Sequence, residues 1–324
     1  MKSWVFILCA SLCSVFLMAP LQAQADQWPS RTVTIVVPYP PGGSNDMIAR
    51  LLADAYGTKF NQTFVVENRP GASGTVGISE VARAKADGYT LLVAANSMVT
   101  NLTAPSNVRY NVLRDFEPIS MAAALPVVMV INPKIPANNV KELIELAKKD
   151  PGGLKCGSTG VGSPQQLTSQ LFQSETGTKF LQVPFKGQAA TVTELLGGRL
   201  EVGFITLGPA LQYIQTGALK AIGILGSERN SLAPEIPTLV EQGVAGMDLG
   251  WWVGVFAPKD TDTAIVNALA EETAFLTQKD EAFQQRLQSA SLIPIGSTAQ
   301  EFKKSLGQEI DTWMKVAKEA EANK

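Results

Sequence analysis

Along most of this chain a short β-rich run is followed within a few residues by an amphipathic helical run, and that alternation limits the possible folds more than any other feature. Residues 32–37 form a β-rich run ending in a Pro/Gly loop. From Asp46 onward, Met47, Ile48, Leu51, Leu52, Ala55 and Tyr56 fall at helical spacing. Residues 63–67 read as a second strand, 71–77 as a glycine-rich loop, 78–86 as a helix closed by a turn at Asp87 and Gly88, and 89–94 as a third strand. This β-α-β-α-β order predicts a parallel sheet with helices on both faces. The alternation restarts with strands at 127–131, 154–157, 181–183, 200–205 and 219–225, and helices at 140–149, 164–175 and 189–196.

After residue 250 it stops. Residues 251–257 are apolar at nearly every position, as expected for a strand buried on both faces. Only helices follow, at 262–277, 280–289 and 298–321. A section with one strand cannot build its own sheet, so its helices must cover one already made. The expected organisation is a first lobe of 26–126 plus 250–324 and a second lobe of 127–249. Crossings near Pro126 and Gly250 then form a hinge, and a cleft between two lobes is a common ligand site.

The 324 residues are 45% hydrophobic and 17% charged, which excludes a disordered or fibrous chain. Lys plus Arg is 27 against 29 for Asp plus Glu, a poor match to nucleic acid or an anionic membrane. The chain has no histidine. Ser-His-Asp and Cys-His mechanisms and imidazole metal sites are therefore excluded, and neither a cofactor nor a metal site is expected.

Lys2 precedes an almost charge-free stretch, 4–21, and the small-x-small triplet Ala23, Gln24, Ala25 comes before Asp26. Residues 1–25 are read as a cleaved secretory signal. Cys9 and Cys13 lie inside it behind Leu8 and Leu12 rather than small residues, so lipidation is not expected. Cys156 is then the one cysteine left, read as a small buried core residue.

Two strand-to-helix loops carry the chemistry. One runs through Pro38, Tyr39, Pro40, Pro41, Gly42, Gly43, Ser44, Asn45 and Asp46; the other through Gly157, Ser158, Thr159, Gly160, Val161, Gly162, Ser163 and Pro164. Ser44, Asn45 or Asp46 is a candidate cap for the first helix. Ser163 with Pro164 suits the cap and first residue of the second. Each loop offers backbone N–H groups at the positive end of a helix dipole, which suits an anion, although such turns also serve as plain connections. Neither loop is a phosphate-binding or dinucleotide fingerprint. Trp251 and Trp252 are either hinge packing or a ligand wall, and Lys186 with Gly187 either places a cation in the cleft or is an exposed loop. Glu271 and Glu272 read as a solvated helix face.

The chain resembles the Bug family, periplasmic solute-binding proteins of tripartite tricarboxylate transporters. The resemblance rests on Trp28-Pro29, Pro41-Gly42-Gly43-Ser44-Asn45-Asp46-x-x-Ala49-Arg50, Val66-Glu67-Asn68-Arg69-Pro70-Gly71-Ala72-x-Gly74 and Ala86-Asp87-Gly88-Tyr89-Thr90-Leu91-Leu92. It continues through Asn111-x-x-x-Asp115-Phe116-x-Pro118-Ile119, Gly162-Ser163-Pro164-Gln165, Phe185-Lys186-Gly187, Leu195-Leu196-Gly197-Gly198 and Pro234-x-Ile236-Pro237-Thr238. It implies an α/β, type II periplasmic-binding-protein fold whose two lobes close on a small carboxylate: a di-, tri- or aromatic carboxylate or an acidic amino acid. Carried over, the ligand contacts are Tyr39, Pro41, Gly42, Gly43, Ser44, Asn45 and Asp46 in one lobe, and Ser158, Thr159, Gly160, Gly162 and Ser163 in the other. Asn96, Ser97, Lys186, Gly187 and Thr206 are second contacts. Asn96-Ser97-Met98, Gln166 and Glu201 depart from the residues common there. The implied role is a periplasmic monomer that delivers its ligand to membrane transporter subunits. The alternatives are a sensory protein presenting ligand to a membrane kinase, and a secreted hydrolase using Ser163 beside Lys186. Intact-mass measurement of the exported protein should show a chain starting at Asp26; a retained leader in the membrane fraction would contradict the signal assignment.

Overall fold

The computed structural model describes residues 28–104, 108–185 and 187–322; the leader expected at 1–25 and Lys186 lie outside them. The chain opens with β1 (Val33–Val37), α1 (Ser44–Phe60), β2 (Phe64–Asn68), α2 (Thr75–Val81), β3 (Thr90–Ala95), α3 (Ser97–Thr100), α4 (Val112–Asp115) and β4 (Phe116–Leu125). After Pro126 come β5 (Val127–Ile131), α5 (Val140–Lys149), β6 (Lys155–Ser158), α6 (Pro164–Thr176), β7 (Leu181–Pro184), α7 (Gln188–Leu196), β8 (Val202–Thr206), α8 (Leu207–Gln215) and β9 (Lys220–Ile224). It ends with β10 (Trp251–Pro258), α9 (Thr263–Gln278), α10 (Glu281–Ser289), β11 (Ile293–Pro294) and α11 (Ala299–Ala322).

These elements make two sheets, ordered β11-β4-β10-β3-β1-β2 and β7-β6-β8-β5-β9. The alternation predicts parallel sheets, but both are mixed. β1, β2 and β3 are parallel, as are β6, β7 and β8. β10 lies antiparallel between β3 and β4, and β5 antiparallel between β8 and β9. β10 follows the long return segment and β5 follows β4 across Pro126 alone, so neither belongs to a β-α-β unit.

All eight residues of β10 are buried, as the unbroken apolar run predicts. Gly254 in its centre lets α11 approach: a Cβ there would lie 2.3 Å from the Phe302 ring. Phe302 instead packs edge-on against Trp252 at 5.1 Å between centroids and tilts against Phe256 at the same distance. The Trp251 indole N–H points to Thr168 Oγ1 of α6 at 3.4 Å. Both tryptophans are buried and pack between elements, and both also line a hollow of about 260 Å³ beside Glu309. Cys156 is a buried free thiol, pushed up to about 12 by burial, as its core reading predicts.

Some elements differ from expectation. β4 and α8 have no counterpart in the periodicity reading. β4 contains Ala122, Ala123 and Ala124, which favour helix locally, yet β10 and β11 pair with it on both sides. α8 begins Leu207-Gly208-Pro209; a proline is tolerated only because it sits in the first turn. Glu272 is buried rather than solvated, with Lys59 Nζ 3.2 Å from its carboxylate. The final helices do more than cover the first sheet: α11 also packs on α6, where Ser174 Oγ donates to Glu319 Oε2 at 3.1 Å. Among the described residues no helix is long and apolar enough to cross a membrane.

One buried carboxylate ties α11 to β10. Glu309 Oε2 accepts from the Trp252 indole at 2.6 Å and Oε1 from the Trp313 indole at 2.9 Å. Burial pushes this carboxyl up from 4.5 to about 7, although the two indole bonds favour its charged form. Below the unfolded value both states hold the proton. As pH rises toward 7 the unfolded chain ionises first, so stability falls across that window by about 3 kcal/mol and then levels off. Glu309→Gln removes this dependence. Denaturant melts of both proteins from pH 4.5 to 8 should show wild type losing stability relative to the variant as pH rises; parallel curves would contradict the assignment.

Candidate functional site

β1 ends at Val37 and α1 starts at Ser44. The residue capping α1 is Gly43, with no side-chain hydrogen bond, so Ser44, Asn45 and Asp46 do not fill the cap position expected of them. Asp46, three residues inside the helix, reaches backwards instead. Its Oδ2 accepts from the Gly42 N–H at 2.9 Å, and Gly42 has φ +85°. Arg50 donates to both carboxylate oxygens at 3.0 Å, and Asn68 Nδ2 donates to Oδ1 at 2.9 Å and to the Tyr39 carbonyl at 3.1 Å. Burial alone would raise the Asp46 carboxyl, but the bonds from Arg50, Gly42 and Asn68 outweigh it and hold the group below its ordinary value.

The phenol of Tyr39 ties this loop to the end of β3. Its oxygen accepts from the Ala95 N–H at 3.1 Å and shares a hydrogen with Ser97 Oγ. Burial raises this phenol above its ordinary value. Asn96 is 2% exposed with Nδ2 unpartnered, and Asn45 Oδ1 is also buried without a partner among the described residues.

The loop between β6 and α6 repeats the first design. Ser163 is the cap, accepting from the Gln166 N–H at 3.3 Å, and Pro164 opens the helix, as the sequence predicts. Gln166, three residues beyond the cap, reaches back to the Gly162 N–H at 2.8 Å, and Gly162 has φ +75°. Both N–H groups that precede the caps, at Gly42 and Gly162, are therefore spent inside their own loops and cannot be free anion donors, contrary to the expectation that these glycines offer them. The remaining donors are the first-turn amides, which have no partner in their own helix: Ser44, Asn45 and Asp46 on α1, and Gln165 on α6, since Pro164 lacks an N–H and the Gln166 N–H is taken by Ser163. Thr159 Oγ1 donates to Gln165 Oε1 at 2.8 Å, Ser158 is buried at the end of β6, and Gly160 has φ +118°.

The two loops belong to different sheets, and each lies against a segment of the other half. A Cβ on Gly162 would lie 3.0 Å from the Cβ of Ala104, beyond α3. Ser44, Pro126 and Thr206 line one small hollow by the crossing. Thr206 is held by Gln188, whose Nε2 donates to Thr206 Oγ1 at 2.7 Å and whose Oε1 accepts the Thr206 N–H at 3.2 Å. Gly187, with φ +96°, caps α7 just before Gln188. Pro41 and Gly43 lie on the exposed side of the first loop. Sequence reasoning named Thr206 and Gly187 but missed Gln188 and the loop-building roles of Asn68, Gln165 and Gln166. The Ser163-x-x-Gln166 spacing is a readable capping signal; the Gln188–Thr206 pair, 18 residues apart, leaves no local one.

A family model described as tripartite tricarboxylate transporter family receptor matches residues 48–321. Protein BugT of Bordetella pertussis is 34% identical over 300 residues, 92% of each chain. A solved structure of R. palustris Rpa4515 with adipate is 32% identical, with a TM-score of 0.81 over 90% of this chain and 98% of that one. MatC from Rhodopseudomonas palustris with bound malate is 28% identical, with a TM-score of 0.77 over 90% of this chain and 100% of that one. These likenesses span the α/β fold with two lobes described above.

Removing Asp46 leaves the Gly42 N–H and the Asn68 amide short of an acceptor. Asp46→Ala should therefore cost about 1–3 kcal/mol of stability, measured by urea melts at neutral pH. No loss would mean that the carboxylate does not hold the loop.

Proposed function

The chain belongs to the tripartite tricarboxylate transporter receptor family, and on that premise we propose that it binds a small carboxylate between the first turns of α1 and α6 and presents it to a membrane transporter. The observation that carries this reading is the matched pair of helix starts, one from each sheet, each with its loop fixed by a backward bond and its first-turn amides left over. Amides at a helix N-terminus recognise a carboxylate without a counter-charge. Each charge-assisted hydrogen bond contributes about 1.5–3 kcal/mol and each helix end ~0.3–1 kcal/mol. Three such amides and two helix ends support micromolar binding, about −8 kcal/mol, after the cost of closure.

In this reading Ser44, Asn45 and Gln165 hold the carboxylate, with Thr159 and Gly160 beside it. Asn96, Ser97, Thr206 and Gly187 face the rest of the ligand, and Lys186, outside the described residues, is a further contact that the family resemblance implies. The lobes are 26–126 with 250–324 and 127–249, moving about Pro126 and Gly250, and the protein works in the periplasm after loss of residues 1–25. Ser163 acts as a helix cap, and the protein binds without catalysis. Adipate and malate, named with two solved relatives, make dicarboxylates the first compounds to test.

A thermal-shift screen of dicarboxylates, tricarboxylates, aromatic acids and acidic amino acids identifies the ligand. Calorimetry then compares that acid with its primary amide, which sets N–H₂ against N–H donors. The amide should bind about tenfold to a hundredfold more weakly, and the acid should be recovered unchanged. Equal affinities would contradict carboxylate recognition by the helix starts.

A further inference from the structure

The glycine-rich segment before α2 takes no part in the cleft chemistry above, yet it holds the longest run of positive-φ backbone among the described residues. Gly71, Ala72, Ser73 and Gly74 follow one another at φ 147°, 46°, 54° and 93°. Two of these are non-glycine residues in a region that L-residues avoid, and such strain persists only where the surroundings enforce it. Here Asn101 Nδ2 donates to the Ser73 carbonyl at 3.0 Å and Thr75 Oγ1 donates to the Ala72 carbonyl at 2.9 Å. The strained turn forms one edge of an open hollow of about 450 Å³, which is also lined by Thr75, Val76, Ser79, Arg83 and Arg109.

The two arginines set this hollow apart. Arg31, Arg50, Arg69, Arg114, Arg199 and Arg229 each hold a carboxylate. Arg83, Arg109 and Arg286 are exposed and have no ion-pair partner among the described residues, and of these Arg83 and Arg109 face one depression. Beside them Val76 is 52% exposed, a large apolar side chain left in water. We propose that this hollow docks an acidic segment of a partner protein, with carboxylates on Arg83 and Arg109 and an apolar side chain over Val76. A small inorganic anion would satisfy the guanidinium groups but leave Val76 uncovered, so the pairing of charge with apolar surface selects a peptide. The same strained turn backs onto the first-lobe ligand loop: a Cβ on Gly74 would lie 3.1 Å from the Tyr39 ring. A partner seated here would press on that loop, whatever the cleft binds.

The test uses a fluorescein-labelled hexapeptide of alternating glutamate and leucine, titrated into the purified protein and followed by anisotropy. Saturable binding that weakens with added salt is expected. The Arg83→Gln, Arg109→Gln double variant should weaken it about tenfold or more, while Arg286→Gln, which removes an arginine outside the hollow, leaves it unchanged. The glutamine-leucine counterpart of the peptide should not bind. Circular dichroism melts confirm that the variants are folded, since both arginines are exposed. The proposal is overturned if the acidic peptide fails to saturate, if the double variant binds it equally well, or if inorganic phosphate displaces it at matching concentration, which would make the hollow a site for small anions.

Discussion

Everything at the candidate site depends on one hydrogen bond made twice: a side chain on the third residue of a helix accepts from the N–H of the glycine before the cap. Asp46 does this to Gly42 and Gln166 to Gly162. Each glycine has a positive φ, which turns the chain sharply into its helix and leaves the remaining first-turn amides without a partner in the loop. The two versions differ in charge. Gln166 is neutral and needs little else. Asp46 is a buried carboxylate, and burying an ion is costly unless it is paired and hydrogen-bonded. That cost explains why Arg50 and Asn68 converge on it and why the first loop carries more supporting contacts than the second.

The relative placement of the two loops is set behind them. β4 stops at Leu125 and β5 starts at Val127, so one residue separates the sheets at this crossing. The Pro126 carbonyl there accepts from the Leu207 N–H at 2.8 Å, joining the crossing to the start of α8. At the other crossing, Trp251 reaches α6 while Trp252 is held by Glu309 of α11. α6 carries the second loop, and α11 packs against it. In the proposed reading, a change at either crossing moves one set of amides relative to the other, the motion that a closing cleft requires.

Much of this was legible in the sequence because it is local. Helical spacing located α1, α5 and α6, the apolar run located β10, and Ser163 with Pro164 announced the start of α6. Strand direction was not legible, since period-two burial looks the same in parallel and antiparallel strands. β4 was hidden because Ala122, Ala123 and Ala124 favour helix locally and only pairing with β10 overrides them. At the site, the loops themselves were readable, but which amides remain free was not. That depends on where Asp46 and Gln166 spend their acceptors, and sequence alone pointed Asp46 at the cap position.

A crystal structure with a bound dicarboxylate tests the central claim most directly. The account predicts one ligand carboxylate within hydrogen-bond distance of the Ser44 or Asn45 amide on α1 and of the Gln165 amide on α6, with the Asp46–Gly42 and Gln166–Gly162 bonds intact. A carboxylate bound away from both helix starts, or held by a Gly42 or Gly162 N–H released from its own loop, would contradict it.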